Sequence, residues 1–177
     1  METLEAIYTR RSIRQFKKES VSQENIDRLI RAGMQAPSAR NTQAWQFIVI
    51  DDRRILNGVM DFHPFAAMLS EAPLAVAVCG DKRGEAQEGY LAVNCAAATQ
   101  NILLAAHTLE LGAVWIGIYP RKNRIQQLSE LLQLPDFILP VSLVALGYPA
   151  EYKQAIDRFD RAKVHFNKWG GGNEMLK

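Results

Sequence analysis

Three guanidinium groups and one hydroxyl fall within five residues at Arg10-Arg11-Ser12-Ile13-Arg14. Arginine presents a planar fork of donors that meets phosphate oxygens two at a time, and a serine hydroxyl adds another donor. The segment reads as the holder of a ligand's phosphate end; for five residues taken alone, a solvated basic turn is the alternative. Three other stretches could carry chemistry: the polar run from Pro37 to Gln43, the basic pair Arg158 and Arg161, and Trp115-Ile116-Gly117 at the end of an apolar run. Glycine there would let the main chain approach a flat ligand with no side chain in the way. Arg161, with Asp157 and Asp160 nearby, reads as a solvated tail charge.

Other chemistries find no support. No Gly-x-Gly-x-x-Gly follows a strand, so a dedicated dinucleotide-binding domain is not indicated. There is no Ser-His-Asp, Cys-His or paired-carboxylate arrangement. Cys79 and Cys95 sit in apolar surroundings at a spacing that fits no zinc or redox motif, and read as small buried hydrophobes. His107, inside an apolar helix, reads as a satisfied core histidine, and His165 as a tail anchor. A formal charge of +2 argues against a general nucleic-acid or membrane-surface binder. No apolar run is long enough to span a bilayer, and no secretory signal is visible; the expected location is the cytosol.

A chain of 177 residues, 48% hydrophobic and 23% charged, suits one domain with a sizeable core. Helices are expected over 3–9, where Leu4, Ile7 and Tyr8 share a face, and after Ser22, where Ile26, Leu29, Ile30 and Met34 recur until Pro37. Further helices are expected over 53–61, 86–111 and 122–133. The helix at 86–111, small-residue rich and apolar all round, should be central and stop at Leu111-Gly112. Strands are expected up to Ile50 from Trp45, over Leu74 to Cys79, Ala113 to Ile118, and Pro140 to Tyr148. Phe62-His63-Pro64-Phe65 reads as a turn. The tail from Ala150 has no period of its own and must lie on something; Trp169-Gly170-Gly171-Gly172 reads as a packed anchor before a frayed end. On spacing alone the pattern suggests an α/β layer fold, without settling strand direction.

In order along the chain, a set of motifs resembles the FMN-dependent nitroreductase-like flavoproteins in their short form. They are Arg-Arg-Ser-Ile-Arg at 10–14 and Ala36-Pro37-Ser38, Asn41, Gln43, Trp45-Gln46-Phe47. Trp115-Ile116-Gly117, Leu-x-Leu-Pro at 132–135 and Val144 to Pro149 follow, then Asp157-Arg158-Phe159, Val164-His165 and Trp169. Each is weak alone; the ordered set runs almost from end to end. One departure is Ala44, where many members carry proline, at some cost in loop rigidity.

The resemblance implies an α+β fold: a single domain over 1–177, with a central mixed sheet flanked by helices, assembled as an intertwined homodimer. The tail 150–177 would wrap the partner, and the helix at 86–111 would pack at the interface. FMN would lie in a groove built from both chains. Arg10, Ser12 and Arg158 would hold its phosphate, with Arg11 beside the ribityl chain and Arg14 toward the N1/O2 edge of the ring. Pro37, Ser38, Asn41 and Gln43 would come from the other subunit. The Ile116 and Gly117 backbone would face the flavin's N5 and O4. The implied activity is ping-pong hydride transfer from NADH or NADPH to a small-molecule electron acceptor such as a nitroaromatic or a quinone. A storage or sensing protein that holds FMN without turnover stays open, as does another reaction class using reduced flavin with oxygen or removing halide. Phe62, Phe65, Tyr119 and His63 are candidate walls of the acceptor site.

Overall fold

The computed structural model describes residues 1–171; the expected frayed end from Gly172 lies outside them. Helix α1 (Thr3–Thr9) is followed by α2 (Gln23–Met34), whose first turn is capped by the Ser22 hydroxyl accepting from Asn25 N–H. Strand β1 (Trp45–Ile50), helix α3 (Arg53–Phe62), a 3-10 turn at Ala67–Ser70 and strand β2 (Leu74–Asp81) come next. The chain continues with α4 (Glu88–Thr108), β3 (Gly112–Gly117), α5 (Lys122–Leu131) and β4 (Ile138–Gly147).

The strands form one sheet in the order β1-β2-β4-β3. The expected mixed sheet is corrected here: all three strand pairs are antiparallel, and parallel pairing among the described residues is confined to a single bridge, Ser12 with Ala113. The reason is the insertion of β4. Strands β2 and β3 point the same way, joined by the α4 crossover, but β4 lies between them and runs against both.

Alternation along the strands makes two cores. Leu74, Val76 and Val78 of β2 join Leu91, Cys95, Ala98 and Ile102 of α4 on one face, with α2 outside them. Ala75, Ala77 and Cys79 join Leu56, Val59 of α3 and Leu128 of α5 on the other. A bulge at Val78/Cys79 opposite Val141 shifts the register of β4. Helix α4 fits close to the sheet because Gly80 has no side chain: a Cβ there would lie 2.2 Å from Leu91 Cγ. Gly80→Ala is therefore expected to destabilise the fold by about 3 kcal/mol, the upper range for overpacking; thermal or urea melts measure it, and an unchanged midpoint would contradict this packing.

Three local expectations change. The left-handed residue after α4 is Glu110 (φ 60°), not Gly112. Gly112 instead opens β3 and leaves room for Ile13, whose Cγ2 would lie 2.7 Å from a Cβ at that position. The shared face of α1 points outward: Leu4, Ile7 and Tyr8 are exposed and Ala6 is the buried residue. Trp169 is no anchor within this chain, being 90% exposed, with its ring centroid 4.4 Å from that of His165.

Candidate functional site

The basic segment runs along the sheet's β3 edge because its main chain is fixed at both ends. Ile13 N–H donates to the Ala113 carbonyl (3.0 Å), and Lys17 N–H to Tyr148 (2.9 Å). Two tail residues that the sequence did not single out brace it. Glu151 accepts from the Arg14 (2.5 Å) and Gln15 (3.3 Å) main-chain N–H groups, which with Lys153 hold its carboxyl below its ordinary value despite burial. Lys153 donates to the Ser12 carbonyl at 2.8 Å.

Arg10, Arg11 and Arg158 line one groove of about 740 Å³, together with Ile7, Tyr8 and Phe159. Burial, then the nearby Arg158 and Arg11 charges, push the Arg10 guanidinium below its ordinary value. Such a like-charge cluster favours an anion between its members. Arg11 needs a correction. Its donors are occupied by main-chain carbonyls of Gln154 (3.0 Å), Ile156 (3.2 Å) and Arg10 (2.6 Å), so it pins the tail instead of offering a free fork. Arg10 and Arg158 make no side-chain hydrogen bond among the described residues. The same holds for the Ser12 hydroxyl and for Arg14, whose side chain is exposed. His107, pushed below the usual imidazole value by burial and by Arg10 and Arg11, bonds the Thr9 hydroxyl at 2.8 Å and is a structural contact.

The loop after α2 is shaped by its own side chains. The Ser38 hydroxyl accepts from Gln43 N–H (3.0 Å), and Gln43 Nε2 donates to Asn41 Oδ1 (3.0 Å). Arg40, Asn41 and Gln43 all have positive φ. Pro37, Asn41 and Gln43 are exposed and Ser38 is half-buried. The loop hangs on two groups missed from sequence. Asn94 of α4 accepts from Ala39 N–H at 3.0 Å, and the buried Glu85 binds Arg40 at 2.5 Å. Arg40 and the Gln87 N–H hold the Glu85 carboxyl below its ordinary value of 4.5. A lowered folded-state value means that this contribution is present above pH 4.5 and is lost as the pH falls through the folded value. Glu85→Gln is therefore expected to melt below wild type at pH 7, with the gap closing as the pH falls below 4.5; a gap that stays constant on acidification would contradict the pairing.

At the far end of β3, alternation decides what is offered outward. Ala113 turns its polar groups away from β4, toward Ile13; Trp115 and Gly117 follow suit, while Ile116 pairs with Leu143. So Ile116 is corrected too: its side chain is buried and its main chain belongs to the sheet. Gly117 is the open position, since a Cβ on it would meet nothing within 4 Å. Its carbonyl accepts from His63 Nε2 (3.0 Å) and Arg124 Nη1 (2.8 Å). Among the expected wall residues, Phe65 is exposed beside His63, while Phe62 and Tyr119 pack against the two cores. Burial pushes the Cys79 and Cys95 thiols up to about 12, which suits inert core residues.

The phosphate-type corner and the 37–43 loop do not meet within one chain. The loop hangs on Asn94 and the Arg10 end lies by His107. Those positions are separated by about 20 Å of helix at 1.5 Å per residue.

A sheet of this topology between two helical layers, with a basic corner on its edge, defines a class of fold that comparison identifies. The model for the nitroreductase family matches residues 7–63 and 58–148, and the chain belongs to that family. A protein of Methanothermobacter thermautotrophicus, named "Putative NADH dehydrogenase/NAD(P)H nitroreductase", is 44% identical over 169 residues, spanning 96% of this chain and 88% of its own. A solved structure of the same name from Parabacteroides distasonis superposes with a TM-score of 0.91 at 41% identity, over 94% of this chain and 98% of the other. A structure from Clostridium difficile, named as an FMN-dependent nitroreductase, gives 0.86 at 30% identity, over 93% and 99%. Among the described residues no helix is long and apolar enough to cross a membrane.

Proposed function

We propose that this chain is an FMN-dependent NAD(P)H oxidoreductase of the cytosol that passes electrons to small acceptors of the nitroaromatic or quinone type. The observation that carries the reading is the groove where Arg10 and Arg158 converge with unengaged guanidinium groups. The residues present fit FMN. A phosphate with close to two negative charges suits the like-charged corner. Gly117 leaves a side-chain-free space for a flat ring.

FMN, when bound, supplies the acceptance of hydride from NAD(P)H and its return to an acceptor. The chain supplies the rest. Arg10, Arg158 and the Ser12 hydroxyl bind the phosphate. Arg14, cationic and exposed, stabilises negative charge that develops at the ring's N1/O2 edge. The Gly117 N–H orients the N5 edge. No side-chain acid or base is required for hydride delivery.

The same reading makes the site a property of two chains. Ser38, Asn41 and Gln43 are about 20 Å from Arg10 along α4 of their own subunit, so they would reach the ring from a second copy. The surface supports a homodimer. Leu4, Tyr8, Val93, Trp115 and Trp169 are exposed. Beyond Arg158 the tail makes no hydrogen bond to the rest of its chain among the described residues; its bonds run between neighbours such as Asp160 and Ala162, or Phe166 and Gly171. Purified protein is expected to be yellow and to bleach anaerobically with NADH or NADPH, recovering colour when a quinone is added. Protein that takes up FMN but is bleached by neither nicotinamide would contradict the enzymatic reading.

A further inference from the structure

We propose that His107 is a further, proton-dependent partner of the phosphate corner: when an anion settles against Arg10, the open ring nitrogen of His107 takes up a proton, so that cofactor binding and protonation of this imidazole favour each other. The inference rests on the FMN reading above.

The site adjoins the basic groove. A second cavity, of about 470 Å³, shares Arg10 and Arg11 with that groove and adds Ile13, Leu103 and His107 to its walls. His107 lies in the last turn of α4 and is half-buried. Its hydrogen bonds fix which nitrogen carries the proton. The Thr9 hydroxyl has one proton, which goes to the Glu5 carbonyl at 2.7 Å. The hydroxyl oxygen therefore accepts from His107 Nε2 at 2.8 Å, and the neutral ring is the Nε2–H tautomer. Nε2 is spent on this structural contact. Nδ1 is left as the basic nitrogen, with no hydrogen-bond partner among the described residues.

The charges around the ring decide when it protonates. Burial, then Arg10, then Arg11 hold its titration below the ordinary imidazole value of 6.5. Glu5 of α1 acts the other way and ranks last. Across the cavity, Glu151 and Lys153 of the tail pair with each other at 3.1 Å. Glu110 and the Met1 end of the chain complete the charged wall. Arg11 is tied to main-chain carbonyls, so Arg10 is the opposing charge that a ligand can answer. A phosphate there offsets the repulsion that keeps the ring neutral, and its own negative charge favours the imidazolium. The C-terminal end of α4 favours a cation at the same position. Linkage is reciprocal: protonated His107 must tighten the phosphate by the factor by which the phosphate favours the proton. The gain is full below the free protein's titration and is lost as the pH rises through that of the FMN-bound protein.

The test measures the FMN Kd of wild type and His107→Gln as the pH is varied. Glutamine keeps an N–H for Thr9 and does not titrate, and the ratio of the two Kd values cancels the titration of the FMN phosphate itself. The variant-to-wild-type ratio is expected to be near one at about pH 8 and to rise to about tenfold at about pH 5. A merely structural contact gives the same ratio at every pH, and a flat ratio overturns the linkage. Imidazole NMR of the wild-type protein is the second readout, independent of whether the variant folds. The His107 titration midpoint should move up when FMN, or sulfate as a non-titrating dianion, is added; a midpoint that stays in place overturns the proposal. Wild-type protein that takes up no FMN overturns the cofactor reading itself. The sulfate titration then decides the linkage alone, upheld by a His107 midpoint that rises and overturned by one that does not.

Discussion

Gly117→Leu is expected to fold with a melting temperature within about 2 °C of wild type and to bind no FMN. The first half follows from the space around the residue. A Cβ on Gly117 meets nothing within 4 Å, so the new side chain displaces no neighbour. Substitutions of that kind stay within about 0.5 kcal/mol, worth about 1–2 °C in a chain this long. The second half follows from direction: the side chain leaves β3 on the α4 side, into the space assigned to the ring. Gly80 is the control, because a side chain there collides with Leu91 and should lower the melting temperature. Calorimetry of the apo protein and FMN fluorescence quenching measure the two halves. A Gly117→Leu protein that still quenches FMN would place the ring elsewhere.

The second large effect is expected at the basic corner. Replacing Arg10 and Arg158 together with Gln removes two charge-assisted contacts, each about 1.5–3 kcal/mol, and should weaken FMN by roughly 10²–10⁴-fold. The apo protein should not suffer in parallel. The three guanidinium groups repel one another, as the lowering of Arg10 by Arg158 and Arg11 indicates, so thinning the cluster leaves apo stability unchanged or raised. The double variant should also lose sensitivity to competing inorganic phosphate, measured by titrating phosphate into FMN-loaded protein. Arg11→Gln belongs to a different class: its bonds to Gln154 and Ile156 pin the tail, so its loss should first show as faster proteolysis of the tail. Equal losses of affinity in Arg11→Gln and Arg10→Gln would contradict that division.

Local periodicity carried most of the fold. The strands at Trp45, Leu74, Ala113 and Pro140 and the helices between them follow from apolar spacing, with Ser22 and Asp52 capping α2 and α3. What periodicity could not show is what distant groups do to one another. Arg11 has a place in the basic motif, yet its donors are taken by carbonyls 143 and 145 positions along the chain. Glu85 looks like one more surface acid until Arg40 closes on it. His63 reads as part of an aromatic turn, and only the fold brings it to Gly117. The outward face of α1 follows the rules of an amphipathic helix, but it stays exposed among the described residues. That mismatch between a well-patterned face and an open surface is the strongest hint that the folded unit is larger than one copy.

The most direct test of a shared site is complementation within a mixed dimer. One chain carries Arg10→Gln and Arg158→Gln; the other, with a different tag, carries Ser38→Ala, Asn41→Ala and Gln43→Ala. If corner and loop meet across the interface, the mixed dimer has one site with every defect and one with none, and should bind one FMN per dimer at wild-type affinity while both parent dimers bind none. If corner and loop of the same chain form the site, both sites in the mixed dimer are damaged, no tight FMN appears, and the two-chain account is wrong.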